Sequence, residues 1–149
     1  MTESGCKRNT PDSLGHLPTT DMSIKGQRFR LWVADNLDDQ NAGLMHVTAD
    51  RITPLRDGTE RGMLFVFDRS VRGSFWMKNT IIPLDIAYVA ADGTVVAIFT
   101  MAPLDTRSNA YPPGDLYRFA IEVSANRFSV LGLKVGDHLD IPPSILKRR

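Results

Sequence analysis

The sequence predicts a single mainly β domain, a β-sandwich or partly closed barrel with two short helices, and three observations predict it. The chain has 149 residues; a folded unit of that size hides roughly 70% of the surface of its extended chain, so one hydrophobic core suffices. From Met22 onward, short apolar runs alternate with turn residues, which is the rhythm of antiparallel β structure and not of βαβ units. Only two stretches carry helix signals, and both are short.

Residues 1–20 mix Ser, Thr, Asn, Pro and Gly without periodicity. They read as a disordered polar leader, too poor in apolar surface to offset the entropy of ordering. The domain is predicted over 21–143, followed by a basic tail at 144–149. "MSI", Lys25-Gly26 and "RFRLWVA" spell a tight hairpin, with Phe29, Leu31 and Val33 facing one way and Arg28, Arg30 and Trp32 the other. "DNLDDQNAGLM" predicts a short helix, with Asp35 or Asn36 as its cap and acidic residues in its first turn. "TADRITPLRDGTERG" reads as loop, because Pro54 and Asp57-Gly58 both interrupt regular structure.

Three apolar runs follow at 62–67, 74–79 and 82–90, each predicting a strand. Ala91-Asp92-Gly93 then turns the chain into a further strand, "TVVAIFTMA" at 94–102. Residues 103–117 form a long polar loop, a length often associated with function. "RFAIEVS" at 118–124 is a strand, "ANRFSVLGL" a second short helix ending at Gly132, and "KVGDHLDI" a final strand. No internal repeat stands out.

With 18 basic and 17 acidic residues the net charge is +1, which provides no field for a polyanion, so nucleic acid is not an expected partner. The lone Cys6 excludes an intrachain disulfide and a Cys-based metal site, and leaves the redox compartment open. His16, His46 and His138 lack metal-ligand spacing; no metal or other cofactor is expected. No run approaches the roughly 18 apolar residues of a membrane-spanning helix, and a soluble protein is expected from the sequence as written. "ESGCKRNTPDS" is similar to the segment behind a bacterial lipoprotein signal, though the apolar run of such a signal does not precede it here. Export or lipid anchoring is therefore the alternative should a signal lie upstream.

"AGLM" at 42–45, "RGMLFVF" at 61–67, "SFWMKNTIIPLDIAYVAADGTVVAI" at 74–98, "AIEV" at 120–123 and "LGLKVGD" at 131–137 together resemble the bacterial and archaeal family known as domain of unknown function 192. The match in order and spacing runs from about Phe29 to Asp140. The resemblance implies a small β-rich single domain, often behind a signal peptide, with no catalytic activity generally assigned. Two positions depart from the family pattern. His46 stands where a large residue followed by a basic one is common, and Asn126 stands where Gly is usual. Asn tolerates the left-handed conformation, so the turn at 126 is expected to survive.

The polar groups able to carry chemistry are few. Alternation over 82–90 places Asp85 with Pro83, Ala87 and Val89, opposite Ile82, Leu84, Ile86 and Tyr88. Both faces are apolar, so Asp85 is expected to be partly buried and to need a partner, with Lys78 and Arg61 as candidates or backbone N–H groups at the strand end. Glu122 shares its face with Ala120 and Ser124. If 74–79 is a strand, Phe75 and Met77 fill the core while Trp76 and Lys78 share the other face as a ligand platform. These residues predict a non-catalytic binding module in which Trp76, Lys78, Asn79, Asp85 and Met45, with the 103–117 loop, hold a small molecule, glycan or peptide. No complete catalytic constellation is present. The alternatives are a hydrolase of carbohydrate-type substrates, with Asp85 and Glu122 as acid and base about 5 to 9 Å apart and Lys78 in support, and an envelope-associated structural or interaction domain.

Overall fold

A computed structural model describes residues 14–147. Its strands are β1 (Thr19–Ile24), β2 (Gln27–Ala34), β3 (Glu60–Val71), β4 (Leu84–Val89), β5 (Val95–Met101) and β6 (Tyr117–Ser124), with helices α1 (Leu37–Ala42), α2 (Arg127–Leu131) and α3 (Pro143–Leu146). The mainly β class is borne out. The strands form one mixed sheet in the order β1-β2-β3-β6-β4-β5, not closed into a barrel. Only β2 and β3 run parallel, and their connection carries α1 and the 43–59 loop across one face.

Both hairpins form where the turn residues ask for them. Lys25 and Gly26 both adopt positive φ, the requirement of a two-residue turn matched to strand twist. In the β4–β5 turn the Asp92 carboxylate accepts from the Thr94 N–H at 2.9 Å. Gly93 is needed there, since a Cβ would sit 2.4 Å from the Leu139 carbonyl oxygen.

The sheet is covered on both sides. One face buries Phe29, Leu31, Val33, Leu64, Ile121 and Val123 against Phe128 of α2, Leu133, Leu139 and Ile145 of α3. The other buries Trp32, Met63, Phe65, Ile86, Tyr88 and Ala120 against Leu44, Met77 and Tyr111 from the loops.

Two expected strands are absent from the described residues. The 74–79 run is an irregular segment with a single bridge, Phe75 to Tyr111. The reason lies in strand order: β3 is already flanked by β2 and β6, and β4 by β6 and β5, leaving that run no free side on either of its neighbours in the chain. It crosses the face instead, tied down by Met77 N–H donating to the Asp105 carbonyl at 2.8 Å and Leu104 N–H donating to that of Thr80 at 2.9 Å. In and out alternation survives without the strand, with Met77 fully buried and Trp76 49% exposed. The segment 134–141 likewise meets the sheet at one bridge, Thr94 to His138, and wraps around the β4–β5 turn.

The ends of the domain reach further than expected. Leu14 and Leu17 are buried and β1 begins at Thr19, so the far end of the leader predicted over 1–20 packs on the domain, while 1–13 lie outside the described residues. Ile145 of α3 is buried within the stretch predicted as a basic tail, of which 148–149 lie outside the described residues.

Candidate functional site

A cleft of about 250 Å³ opens on the face of the sheet that carries α1. Its walls are Phe65 and Phe67 of β3, Tyr117 of β6, Phe75 and Trp76 of the 72–83 segment, and Gly43 to Met45 beyond α1. Each wall has a local cause. Asn36 caps α1 by accepting from the Asp39 N–H at 3.0 Å. Gly43 ends the helix with φ 47° and lies so near Phe65 that a Cβ would meet the ring at 3.4 Å. Residues 42–47 are joined to the opposite wall by His46 N–H donating to the Asn79 carbonyl at 2.8 Å, and both His46 and Asn79 adopt positive φ there.

Tyr117 reaches this face because β3 and β6 shift register between Val66 and Val71. Its hydroxyl donates to the Gly73 carbonyl at 2.5 Å. Phe75 packs edge-on against Phe65 with ring centres 4.8 Å apart, and its N–H donates to the Tyr88 hydroxyl at 3.0 Å. Tyr88 in turn donates to the Tyr111 carbonyl at 2.7 Å. The 103–117 loop thus supports the aromatic wall from behind, and of its residues only Tyr117 lines the cleft.

Glu122 lies at the floor. It is 4% exposed, paired across the sheet with Met63 on one side and Ile86 on the other. No group among the described residues donates a hydrogen bond to its carboxyl or forms an ion pair with it. Desolvation alone pushes this carboxyl up to about 8, so at neutral pH it is mostly protonated, because no charge or donor compensates for lost water. Burial also pushes the Tyr88 phenol up to about 12, with Glu122 a minor contributor.

Asp85 lies on the opposite face. Its Oδ1 accepts from the Asn126 N–H at 2.8 Å and the Thr100 hydroxyl at 2.7 Å, and its Oδ2 accepts from the Phe128 N–H at 3.0 Å. These bonds anchor the start of α2, where Asn126 adopts φ 70°, the left-handed conformation expected of it. Neither Lys78 nor Arg61 serves as its partner. Arg61 stacks 3.9 Å from the Trp32 ring centre and donates to the Arg30 carbonyl; the Lys78 ammonium lies 5.4 Å from the Trp76 ring centre.

The structure therefore brings Met45, Trp76 and Glu122 together in one cleft and places Lys78 beside Trp76 at its edge. Asn79 contributes a backbone carbonyl to the wall's support, and Asp85 belongs to the far side of the sheet. An acid and base pair of Asp85 and Glu122 sharing one cleft is not formed, because the paired positions Asp85 with Val123 and Ile86 with Glu122 send the two carboxylates through opposite faces. Sequence reasoning missed Phe65, Phe67, Phe75 and Tyr117 as site residues. Alternation along 62–67 does put Phe65 and Phe67 on one face, which was the available signal.

The profile of the family described as DUF192, uncharacterized ACR, matches residues 20–141. The chain belongs to the DUF192 family. Among solved structures, this DUF192 protein is similar to a protein of unknown function from Novosphingobium aromaticivorans DSM 12444, with 31% identity over 83% of this chain and 84% of that one and a TM-score of 0.67. It is also similar to a protein from Sinorhizobium meliloti 1021 provisionally described as a transcription regulator, with 25% identity over 82% of this chain and 90% of that one and a TM-score of 0.66. No curated protein sequence matches it. No helix among the described residues is long and apolar enough to cross a membrane.

Proposed function

We propose that this DUF192 domain is a non-catalytic binding module whose ligand enters beside Trp76 and ends on Glu122. The observation that carries the reading is the buried carboxyl without a partner at the floor of an aromatic cleft. Ligand sites combine mostly apolar walls with a few polar groups that fix orientation, and this cleft has that make-up, with a volume just below the usual range of about 300–1,000 Å³. It suits a small molecule, or one side chain or sugar unit of a peptide or glycan.

The reading is non-catalytic because Glu122 stands, among the described residues, without a second acid, base or activated nucleophile in the cleft. The Ser74 and Thr80 hydroxyls donate to the carbonyls of Phe75 and Lys78, and the Tyr117 hydroxyl is taken by Gly73. Regulation of transcription is not carried over from the Sinorhizobium protein, since a charge balance of +1 offers no support for nucleic-acid binding.

Native mass spectrometry of protein from its own source, followed by a thermal-shift screen against sugars, nucleotides, amines and peptides, tests the proposal. A bound mass or a reproducible stabilisation that Trp76→Ala removes is expected. Clean protein without any shift, and with identical behaviour of the variant, would overturn it.

A further inference from the structure

The binding reading leaves the ligand's chemistry open, and the make-up of the cleft narrows it. Glu122 is the sole carboxyl among the lining residues, and no Lys, Arg or His lines the cleft with it. An anionic ligand would meet a carboxyl with no compensating cation. A purely apolar ligand would strip the last water from a buried polar group and leave it unpaired, which is unfavourable. A cation has two sources of attraction here, the carboxylate and the aromatic walls, since aromatic rings attract ammonium groups through their quadrupole and cages of such rings recognise methylated amines. Trp76 already holds the Lys78 ammonium beside its ring. Outside the lining, α1 carries Asp38 and Asp39 in its first turn, the latter bonded to the His16 ring at 2.9 Å, and no basic residue in its last.

Resting on the binding reading, we infer that the cleft takes an alkylammonium group, primary or methylated, seated against Glu122 and the side chains of Phe65, Phe67, Phe75, Trp76 and Tyr117. The ligand is a small amine or the end of an amine-bearing side chain, and Leu37, 70% exposed on the rim, covers its alkyl portion. Binding converts Glu122 to its carboxylate and releases its proton to solvent. The charged or titratable groups around it are few: Tyr88 from β4, Tyr117 from β6, and Lys78 at the lip beside Trp76. Both tyrosines stay neutral throughout, because burial raises their phenols above the ordinary value. Affinity for a cation therefore rises about tenfold per pH unit up to the midpoint of Glu122 and levels off above it.

The test uses four probes on the whole chain, followed by chemical-shift mapping and calorimetry: choline against its neutral isostere 3,3-dimethylbutan-1-ol, and n-butylamine against butan-1-ol. The expected result is that both amines bind at least tenfold more tightly than their isosteres at pH 8.5, shifting Glu122, Trp76 and Tyr117. At pH 6.5, heats in two buffers of different ionisation enthalpy show close to one proton released per amine bound, a readout that needs no variant. Glu122→Gln abolishes the proton release and cuts the preference to the part that the aromatic walls supply, while keeping the isosteres. Equal binding of amine and isostere without proton release overturns the ammonium inference and leaves the binding reading standing. No shift in the cleft with any probe overturns the inference, and the broader screen then decides the binding reading separately.

Discussion

Two carboxylates, one strand apart and one residue out of step, occupy opposite faces of the same sheet and live in opposite ways. Asp85 is 1% exposed and Glu122 is 4% exposed, so burial does not distinguish them. Partnership does. Asp85 accepts from two backbone N–H groups and a hydroxyl, which stabilises a buried carboxylate and holds the start of α2. Glu122 has an aromatic cleft in front of it and no donor among the described residues. The difference teaches that a buried acid signals a site only when its hydrogen bonds are left unfilled, since a filled set describes a structural joint.

The largest effect expected from breaking this comparison falls on the Asp85 side. Asp85→Ala leaves the Asn126 and Phe128 N–H groups and the Thr100 hydroxyl without their acceptor, at about 1–3 kcal/mol for each one stranded away from water. A loss of about 4 kcal/mol is expected in urea unfolding, and a loss below about 1 kcal/mol would show that these bonds are dispensable.

On the other face, the folded chain holds the Glu122 proton to a pH of about 8, whereas an unperturbed glutamate releases it near 4.5. Between those values the unfolded state binds fewer protons, so this group's contribution to stability is full below 4.5 and declines as pH rises through about 8. The slope is about 1.4 kcal/mol per pH unit. Relative to wild type, Glu122→Gln is expected to gain about 2–3 kcal/mol between pH 5 and pH 7, read from paired denaturation curves. A difference that does not change with pH would mean that the carboxyl is solvated.

Smaller changes sharpen the contrast. Asn126→Ala forces a β-carbon residue without a short polar side chain into the left-handed conformation and is expected to cost about 1 kcal/mol, with Asn126→Gly close to neutral. Equal losses in the two variants would point to the Asn side chain and away from its backbone angle. Trp76→Ala, at a half-exposed position, is expected to change stability by less than about 0.5 kcal/mol while weakening ligand binding; thermal unfolding and titration with one ligand separate the two.

Much of this was legible in the sequence, and what was not had a physical cause. Period-two alternation assigned Asp85 and Glu122 to their faces within each strand, and turn chemistry marked both hairpins. Alternation carries no information about which strands are neighbours. The insertion of β6 between β3 and β4 is a long-range pairing; it set Ile86 beside Glu122 and excluded the 74–79 run from the sheet. Tyr117 joined the cleft through a register shift in β3, which a regular period cannot foresee. Trp76 was found because alternation sets it beside Lys78 and away from the core, and Met45 because a thioether suits an adaptable pocket wall, whereas Phe65, Phe67 and Phe75 look like core and also serve as wall.

Glu122 faces the cleft without a partner among the described residues, and a carbon-detected NMR titration of its side-chain carboxyl, with Asp85 followed in the same spectra, tests that most directly. A midpoint near 8 for Glu122 is the predicted result. A midpoint near the ordinary glutamate value of 4.5 would mean that water or a donor already satisfies the carboxyl, and would contradict the account.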